Sequence, residues 1–206
     1  MGKNFKKKKS PIQNQERLFF AIDLDLNTKT ELISVSDRFQ NPLYKNINPS
    51  NFHITLSYLG PLTNKKMEMI LDNFVAPPNK NFVCSTSSLI YLRSANMMAL
   101  KIDDEEQNLI KLKRQIEKQV NRISPLNLSK NEFIPHISLF KNVESVPISF
   151  ENFTLANEIR ISVSHFSLMR SNLTSSSVSY EIVKEWELIS QNSGRSIKEQ
   201  LLGIAN

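Results

Sequence analysis

Two short stretches of the sequence each place a histidine two residues before a hydroxyl side chain. They read FHITL at positions 52–56 and PHISL at positions 135–139. In a β-strand this spacing puts the imidazole and the hydroxyl on one face, because side chains alternate with a period of two. Two imidazoles can act as general base and general acid at a phosphate ester, while the hydroxyls donate to its other oxygens. The pattern predicts a phosphate site built from two similar halves.

The spacing alone is a weak signal, because His165 and Ser167 repeat it. Only His53 and His136 are each preceded by a predicted strand and a predicted helix, so these two are the candidates for chemistry. We predict that His165 lies in the core or on the surface of a sheet.

The residues around each candidate histidine alternate between apolar and polar. In the first strand Phe52, Ile54, Leu56 and Tyr58 form the apolar face, and His53, Thr55 and Ser57 form the polar face. In the second, Ile137 and Leu139 oppose His136 and Ser138. Since apolar faces seek the core, we expect both histidine faces to line a groove.

The order of predicted elements repeats along the chain. The first half reads as a strand at 17–24, a helix from a capping box at Thr28 to about Phe39, and a histidine strand at 52–59 that ends at Gly60-Pro61. The second half contains a strand at 97–102, a helix capped by Asp103 or Asp104, and a histidine strand at 133–141. This repeat predicts a pseudo-two-fold arrangement of α+β halves.

Two helices are recognised by their apolar stripes, and three further strands are predicted. The stripes are Met67, Ile70, Leu71 and Phe74 in one helix and Leu109, Leu112, Ile116 and Val120 in the other, with Glu105 and Glu106 in the latter's first turn. The further strands are predicted at 82–92, 159–169 and 180–188.

Composition and charge restrict the class of protein. The chain has 206 residues and a formal net charge of +6, and the lysines at 3 and 6–9 supply most of that excess. We predict a basic, disordered tail at 1–15, one two-lobed domain at 16–190 and an extension at 191–206. The tail would serve either as an electrostatic arm for RNA or as a solubilising terminus.

Several kinds of site and location are not expected. The single cysteine, Cys84, allows no internal disulfide, and no apolar run is long enough to span a bilayer, so the expected location is the cytoplasm. No acidic residue stands at ligand spacing from the histidines, and four glycines provide no phosphate-binding loop. We expect neither a metal nor a nucleotide cofactor.

The twin motifs, the opening RLFFAIDL at 17–24 and the run FHITLSYLG at 52–60 resemble the 2H phosphoesterase superfamily. Within it, the chain is most similar to the bacterial and archaeal branch named for 2′-5′ RNA ligase or RNA 2′,3′-cyclic phosphodiesterase activity. LMRS at 168–171, Tyr180 and WEL at 186–188 resemble that branch's closing strands. The resemblance implies an α+β, two-lobed LigT-like fold, with antiparallel sheets facing across a central cleft and helices outside.

The resemblance also implies a reaction and roles for the motif residues. RNA ends with a 2′,3′-cyclic phosphate, on tRNA fragments or oligonucleotides, would be hydrolysed to 2′-phosphomonoesters without a metal. His53 would donate a proton, His136 would accept one, and Thr55 and Ser138 would bind the phosphate. We expect no membrane association, no obligate protein partner and a monomer.

The sequence contains three further candidates for the site: Lys141, Tyr58 and Tyr44. This branch usually has a phosphate-binding arginine five residues after the second motif histidine, where this chain has Lys141. Strict alternation would point Lys141 away from His136 unless a bulge intervenes. Tyr58 and Tyr44 are candidates for stacking on a base, although a structural role is the simpler interpretation.

Three other functions stay open at this point. The same site could cleave a 2′-5′ linkage, as in 2′,5′-oligoadenylate, or join RNA ends by the reverse reaction. The chain could instead bind RNA ends without catalysis, or it could be a purely structural α+β domain.

Overall fold

The computed structural model describes residues 15–146, 153–174 and 177–190. The predicted tail, apart from Gln15, and the predicted extension at 191–206 lie outside these residues. The described residues form three α-helices and nine strands. The helices are α1 (Leu26–Ser36), α2 (Asn64–Asn73) and α3 (Asn108–Ile123). The strands are β1 (Gln15–Asp23), β2 (Lys45–Asn46), β3 (His53–Thr63), β4 (Phe82–Leu92), β5 (Met97–Asp103), β6 (His136–Lys141), β7 (Thr154–Val163), β8 (His165–Leu173) and β9 (Val178–Glu187).

The strands form one antiparallel sheet whose order is symmetric about its middle. The order is β7-β4-β5-β6-β3-β1-β8-β9, and the short β2 pairs with β6. Each half therefore places a histidine strand at the centre, β6 or β3, next to the strand that precedes it in its own repeat, β5 or β1. The predicted α+β fold with pseudo-two-fold symmetry is confirmed, and its two lobes are halves of one curled sheet.

The core lies on the face of the sheet that the helices cover. The predicted apolar stripe of α3, namely Leu109, Leu112, Ile116 and Val120, is fully buried. In the first half an aromatic cluster fills the core, where Phe20 contacts Phe74 and Trp186 with ring centroids 5.0 and 5.7 Å apart. No helix of the described residues is long and apolar enough to cross a membrane.

Three predicted strand limits are wrong. The second histidine strand, predicted from residue 133, starts only at His136. β3 continues through Gly60-Pro61 to Thr63, because Gly60 adopts a φ of +81° beside a bulge and Pro61 pairs only with β1. The strand predicted at 159–169 is two strands, β7 and β8, separated at Ser164. The apolar positions change phase there, from Ile159, Ile161 and Val163 to Phe166 and Leu168, which marks the break.

The predicted helix starts also need correction. The N-cap of α1 is Asp25, whose carboxylate accepts from the backbone N–H and the hydroxyl of Thr28. The helix α3 starts at Asn108, so Glu105 and Glu106 lie before it rather than in its first turn. The N-cap residue of α3 is Gln107 rather than Asp103 or Asp104, although the Asp104 carboxylate does accept from the backbone N–H groups of Asn108 and Leu109.

Candidate active site

The two motifs meet where the halves of the sheet join. Ile54 of β3 and Ile137 of β6 are paired, and both are fully buried on the core side. Antiparallel pairing then sets His53 opposite Ser138 and Thr55 opposite His136, all on the other face, here called the cleft face. His53 and His136 are therefore diagonal neighbours. Residues in this relation lie roughly 7–8 Å apart, with their Cβ atoms somewhat closer, which leaves room for one phosphate group between the two imidazoles.

Both histidine strands contain a β-bulge three residues after the histidine. In β3, Thr55 pairs with Ala21 and Ser57 with Phe20, so Leu56 is the extra residue. In β6, Ser138 pairs with Ala99 and Phe140 with Met98, so Leu139 is the extra residue. Each bulge places two consecutive side chains in the core and reverses the alternation that follows it.

The first bulge corrects the predicted faces of Ser57 and Tyr58. Ser57 is buried on the core side, where its hydroxyl donates to Glu117 of α3 at 2.8 Å. Tyr58 is 53% exposed and lies in the phase of the cleft face. Its placement is compatible with the base-stacking role predicted for it, which stays a prediction.

The second bulge resolves the orientation of Lys141. Because Leu139 and Phe140 are both buried, Lys141 returns to the cleft face with His136 and Ser138. Its charge acts on His53 across the joint, lowering the pKa of that imidazole. The bulge thus supplies the exception to strict alternation that Lys141 needs to reach the site.

Backbone carbonyls hold both histidine rings in the same way. His53 Nδ1 lies 2.6 Å from the carbonyl oxygen of Asn51, and His136 Nδ1 lies 2.7 Å from that of Ile134. A carbonyl oxygen can only accept, so Nδ1 must carry the proton in each neutral ring. The Nε2 atoms are therefore left for proton transfer.

His53 is enclosed by aromatic rings on the cleft face. Its ring centroid lies 5.2 Å from that of Phe19 and 4.9 Å from that of Tyr180, which meets it edge to face. His53 Nε2 lies 2.9 Å from the Thr55 hydroxyl. With Nδ1 protonated, the neutral ring accepts from that hydroxyl, so phosphate binding must redirect the Thr55 hydrogen bond.

Burial lowers the pKa of His53 to about 4, and the charges of His136 and Lys141 act in the same direction. The carboxylate of Asp23 and the Asn51 carbonyl oppose this shift. At neutral pH the ring is neutral in the free protein, and an anionic phosphate bound beside it would favour its protonated form.

This pKa predicts a loss of stability in acid. Unfolding returns His53 to its ordinary pKa of 6.5, so the unfolded chain binds a proton that the folded protein excludes between pH 6.5 and 4. The contribution of His53 to the free energy of unfolding is fully present above pH 6.5. By pH 4.5 that contribution should have fallen by about 2–3 kcal/mol. Urea titrations at pH 7 and 4.5 should show a smaller loss for His53→Gln. His165→Gln is the control and should lose as much free energy of unfolding between pH 7 and 4.5 as the wild type. Equal losses in the wild type and in His53→Gln would show that His53 is not the cause.

The second half holds its hydroxyl differently. Ser138 donates to the thioether sulfur of Met97 at 2.8 Å. Sulfur is a weak acceptor, so turning this hydroxyl toward a phosphate oxygen costs little. Thr55 and Ser138 can thus both be redirected to one ligand between the histidines.

Other candidates lie away from the joint or have structural partners. The Tyr44 ring packs on Phe140 and its hydroxyl donates to the Ser145 carbonyl oxygen at 2.8 Å, which is a structural role. His165 lies half-exposed on β8, 3.5 Å from the Glu185 carboxylate, which confirms a sheet-surface position. Arg170, in the LMRS segment at 168–171, is not free for a ligand, because it pairs with Glu16 and Glu181.

Three residues that contact or face His53 were not predicted from sequence. Phe19 and Tyr180 enclose its ring, and Asp23 pairs with it across β1 and β3. A signal was present for Phe19 and Asp23, since both lie in the RLFFAIDL segment in alternating positions with Ala21. No local pattern could find Tyr180, because β9 reaches the site only through the curl of the sheet.

A small pocket of about 90 Å³ opens beside His53. Asn51, Met169, Tyr180 and Ile182 are among the residues that line it. Among the described residues, no three histidine, cysteine, aspartate or glutamate side chains are grouped to hold a metal ion. Cys84 is buried, which raises the pKa of its thiol to about 12 and makes it a poor nucleophile.

Comparison with known proteins supports the resemblance found in the sequence. No protein-family model matches the chain. It is 25% identical over 189 residues to the RNA 2′,3′-cyclic phosphodiesterase of Methanocaldococcus jannaschii, covering 82% of this chain and 99% of that protein. A crystal structure of a phosphoesterase superposes with a TM-score of 0.76 at 23% identity, covering 85% of this chain and 99% of that one. E. coli LigT complexed with 3′-AMP superposes with a TM-score of 0.75 at 23% identity, covering 84% and 98%. The chain has the LigT-like fold, and the predicted resemblance to the 2H phosphoesterases is confirmed.

Proposed function

We propose that this chain, which resembles the 2H phosphoesterases in sequence and fold, hydrolyses 2′,3′-cyclic phosphate ends of RNA to 2′-phosphomonoesters. The observation that carries the proposal is the Ile54–Ile137 pair, which brings both H-x-[ST] motifs to one face, with backbone carbonyls holding the Nδ1 atoms and leaving Nε2 of each ring for proton transfer. The name of the M. jannaschii relative, an RNA 2′,3′-cyclic phosphodiesterase, agrees with this reaction.

The proposed reaction uses one histidine on each side of the phosphorus. His136 Nε2 accepts a proton from water as the water oxygen forms a bond to phosphorus. The bond from phosphorus to the 3′-oxygen breaks, and protonated His53 donates its Nε2 proton to that oxygen. The hydroxyls of Thr55 and Ser138 donate to the non-bridging oxygens, where negative charge increases in the transition state. The 2′-phosphomonoester and a free 3′-hydroxyl leave.

Lys141 is proposed to bind the phosphate from the second half of the site. Its ammonium provides a positive charge, but it lacks the two parallel donors with which a guanidinium binds two phosphate oxygens. We expect it to attract the cyclic phosphate without fixing its orientation, which the two hydroxyls would do.

Replacement of Lys141 should separate the need for charge from the need for geometry. Lys141→Met should lower kcat/KM by about 10-fold, because one charge-assisted hydrogen bond is lost. Lys141→Arg should retain or exceed wild-type activity, since a guanidinium keeps the positive charge and adds two parallel donors. Lys118→Met, a change of equal size at an exposed position of α3, is the control and should keep the wild-type kcat/KM. The role of Lys141 would be disproved by wild-type kcat/KM in Lys141→Met.

The test of the proposed function is turnover of an oligonucleotide that ends in a 2′,3′-cyclic phosphate, in the presence of EDTA. The expected product has a 2′-phosphate and a 3′-hydroxyl, which enzymatic end analysis distinguishes from a 3′-phosphate. A requirement for a divalent metal, or a 3′-phosphate product, would disprove the mechanism.

Two parallel assays address the other functions. Cleavage of 2′-5′-linked oligoadenylate at a comparable rate would favour a 2′,5′-phosphodiesterase, and joining of RNA ends would show the reverse reaction. Binding of RNA ends without turnover of any of these substrates would favour a binding module.

A further inference from the structure

The two halves of the site match in backbone but differ in the charge beside each histidine. In the first half, Asp23 of β1 pairs with His53. At the equivalent position of the second half, Lys101 of β5 pairs with His136. At the adjacent position along each strand, Ile22 pairs with Ile54 and Leu100 pairs with Ile137, and these residues are buried on the core side. Since side chains alternate between the two faces, Asp23 and Lys101 both belong to the cleft face.

We propose that Asp23 and Lys101 are positioning residues that make His53 the proton donor and His136 the proton acceptor. A carboxylate beside an imidazole stabilises its protonated form, and an ammonium beside an imidazole stabilises its neutral form. Burial alone favours the neutral form of His53, and the carboxylate of Asp23 opposes that effect. The inference rests on the proposed function and assigns the residues that direct it.

Asp23 is held in place for this role. Its carboxylate forms an ion pair with Lys29 of α1 at 2.8 Å, and the Asp23 side chain is only 29% exposed. Its charge acts on His53 and raises the pKa of that ring against the effect of burial. The other charged or titratable groups toward His53 are His136 and Lys141 on β6 and the Tyr180 phenol on β9.

In the second half the residue directly opposite the histidine is a lysine rather than an acid. Lys101 is half-exposed, and its ammonium lies 3.7 Å from Asp103 on the same strand. Lys141, farther along β6, adds a second positive charge to the same half. The cross-strand partner of His136 is thus positively charged, whereas that of His53 is negatively charged.

The ion pair offers a test that separates charge from structure. NMR titration of the His53 Cε1–H resonance should show a lower pKa in Asp23→Asn, by about 0.5 to 1, because the carboxylate charge is lost. The pKa should rise in Lys29→Met, because that variant removes the cation that offsets Asp23. A merely structural ion pair predicts no such opposite shifts. Shifts in the same direction, or none in Lys29→Met, would overturn the proposal even if Asp23→Asn fails to fold.

Kinetics then test whether these charges act on the proton donor and the proton acceptor. A cyclic substrate in which sulfur replaces the bridging 3′-oxygen releases a thiolate, which needs no protonation. Asp23→Asn should lose about 10-fold in kcat with the oxygen substrate and less than about 3-fold with the sulfur substrate. Lys101→Glu should lose similar factors with both, because Lys101 acts on the attack by water. Equal losses for Asp23→Asn with both substrates would overturn the assignment.

Failure of the proposed phosphodiesterase function can be distinguished from failure of the roles proposed for Asp23 and Lys101. If the wild type turns over neither substrate, the phosphodiesterase proposal fails, while the opposite pKa shifts of His53 still establish the effect of Asp23 and Lys29. If turnover is normal and the shifts are missing, only the present inference fails.

Discussion

His53→Ala and His136→Ala should each lower kcat for an RNA 2′,3′-cyclic phosphate by roughly 10² to 10⁴-fold, the usual contribution of a positioned proton transfer. The His53→Ala variant lacks the group that donates a proton to the departing 3′-oxygen. The His136→Ala variant lacks the group that deprotonates water. Because each ring acts on a different bond, neither should compensate for the loss of the other.

The chain provides its own control for these substitutions. His165 has the same H-x-S spacing but lies on β8 beside Glu185, and His165→Ala should keep at least half of wild-type kcat. Affinity for a non-hydrolysable RNA end, measured by fluorescence anisotropy, should change less than 10-fold in all three variants. Activity that survives in both His53→Ala and His136→Ala would eliminate the acid–base mechanism and leave the fold without an assigned chemistry.

Thr55→Val should lower kcat by about 10²-fold, because removal of one donor to a developing phosphate charge typically costs 10² to 10³. Ser138→Ala should show a loss of the same order. The effect should appear in kcat more than in KM, since the hydrogen bonds strengthen as charge accumulates in the transition state. Thr55→Ser retains the hydroxyl and should recover most of the loss.

Ser57→Ala is the matched control for the hydroxyl effect. Sequence alternation places Ser57 with Thr55, but the bulge at Leu56 turns it to the core, where it donates to Glu117. We expect Ser57→Ala to lower the free energy of unfolding by about 1 kcal/mol and to leave kcat within about 3-fold of wild type. A loss of kcat in Ser57→Ala as large as in Thr55→Val would mean that the hydroxyls do not act on the phosphate directly.

The limits of prediction from sequence follow from the range of the interactions involved. The strand of each motif, the apolar stripe of α3 and the repeated order of elements were predicted correctly, because alternation and helical periodicity are encoded in neighbouring residues. The end of β3 and the break between β7 and β8 were predicted wrongly. Gly60-Pro61 is typical of a turn, yet here it lies in a strand that pairs on one side only.

By itself, the sequence determined which reactive groups are present: two imidazoles and two hydroxyls at strand spacing in a repeated α+β unit. Only the tertiary structure decided how those groups meet and what surrounds them. The bulges that turn Lys141 and Tyr58 to the cleft face arise from the register between strands, which local spacing does not specify. The cross-strand neighbours Asp23 and Lys101 are likewise far from their histidines in the chain. The curl of the sheet adds Tyr180 from the last strand, so the environment of His53 depends on contacts that form only when the whole sheet assembles.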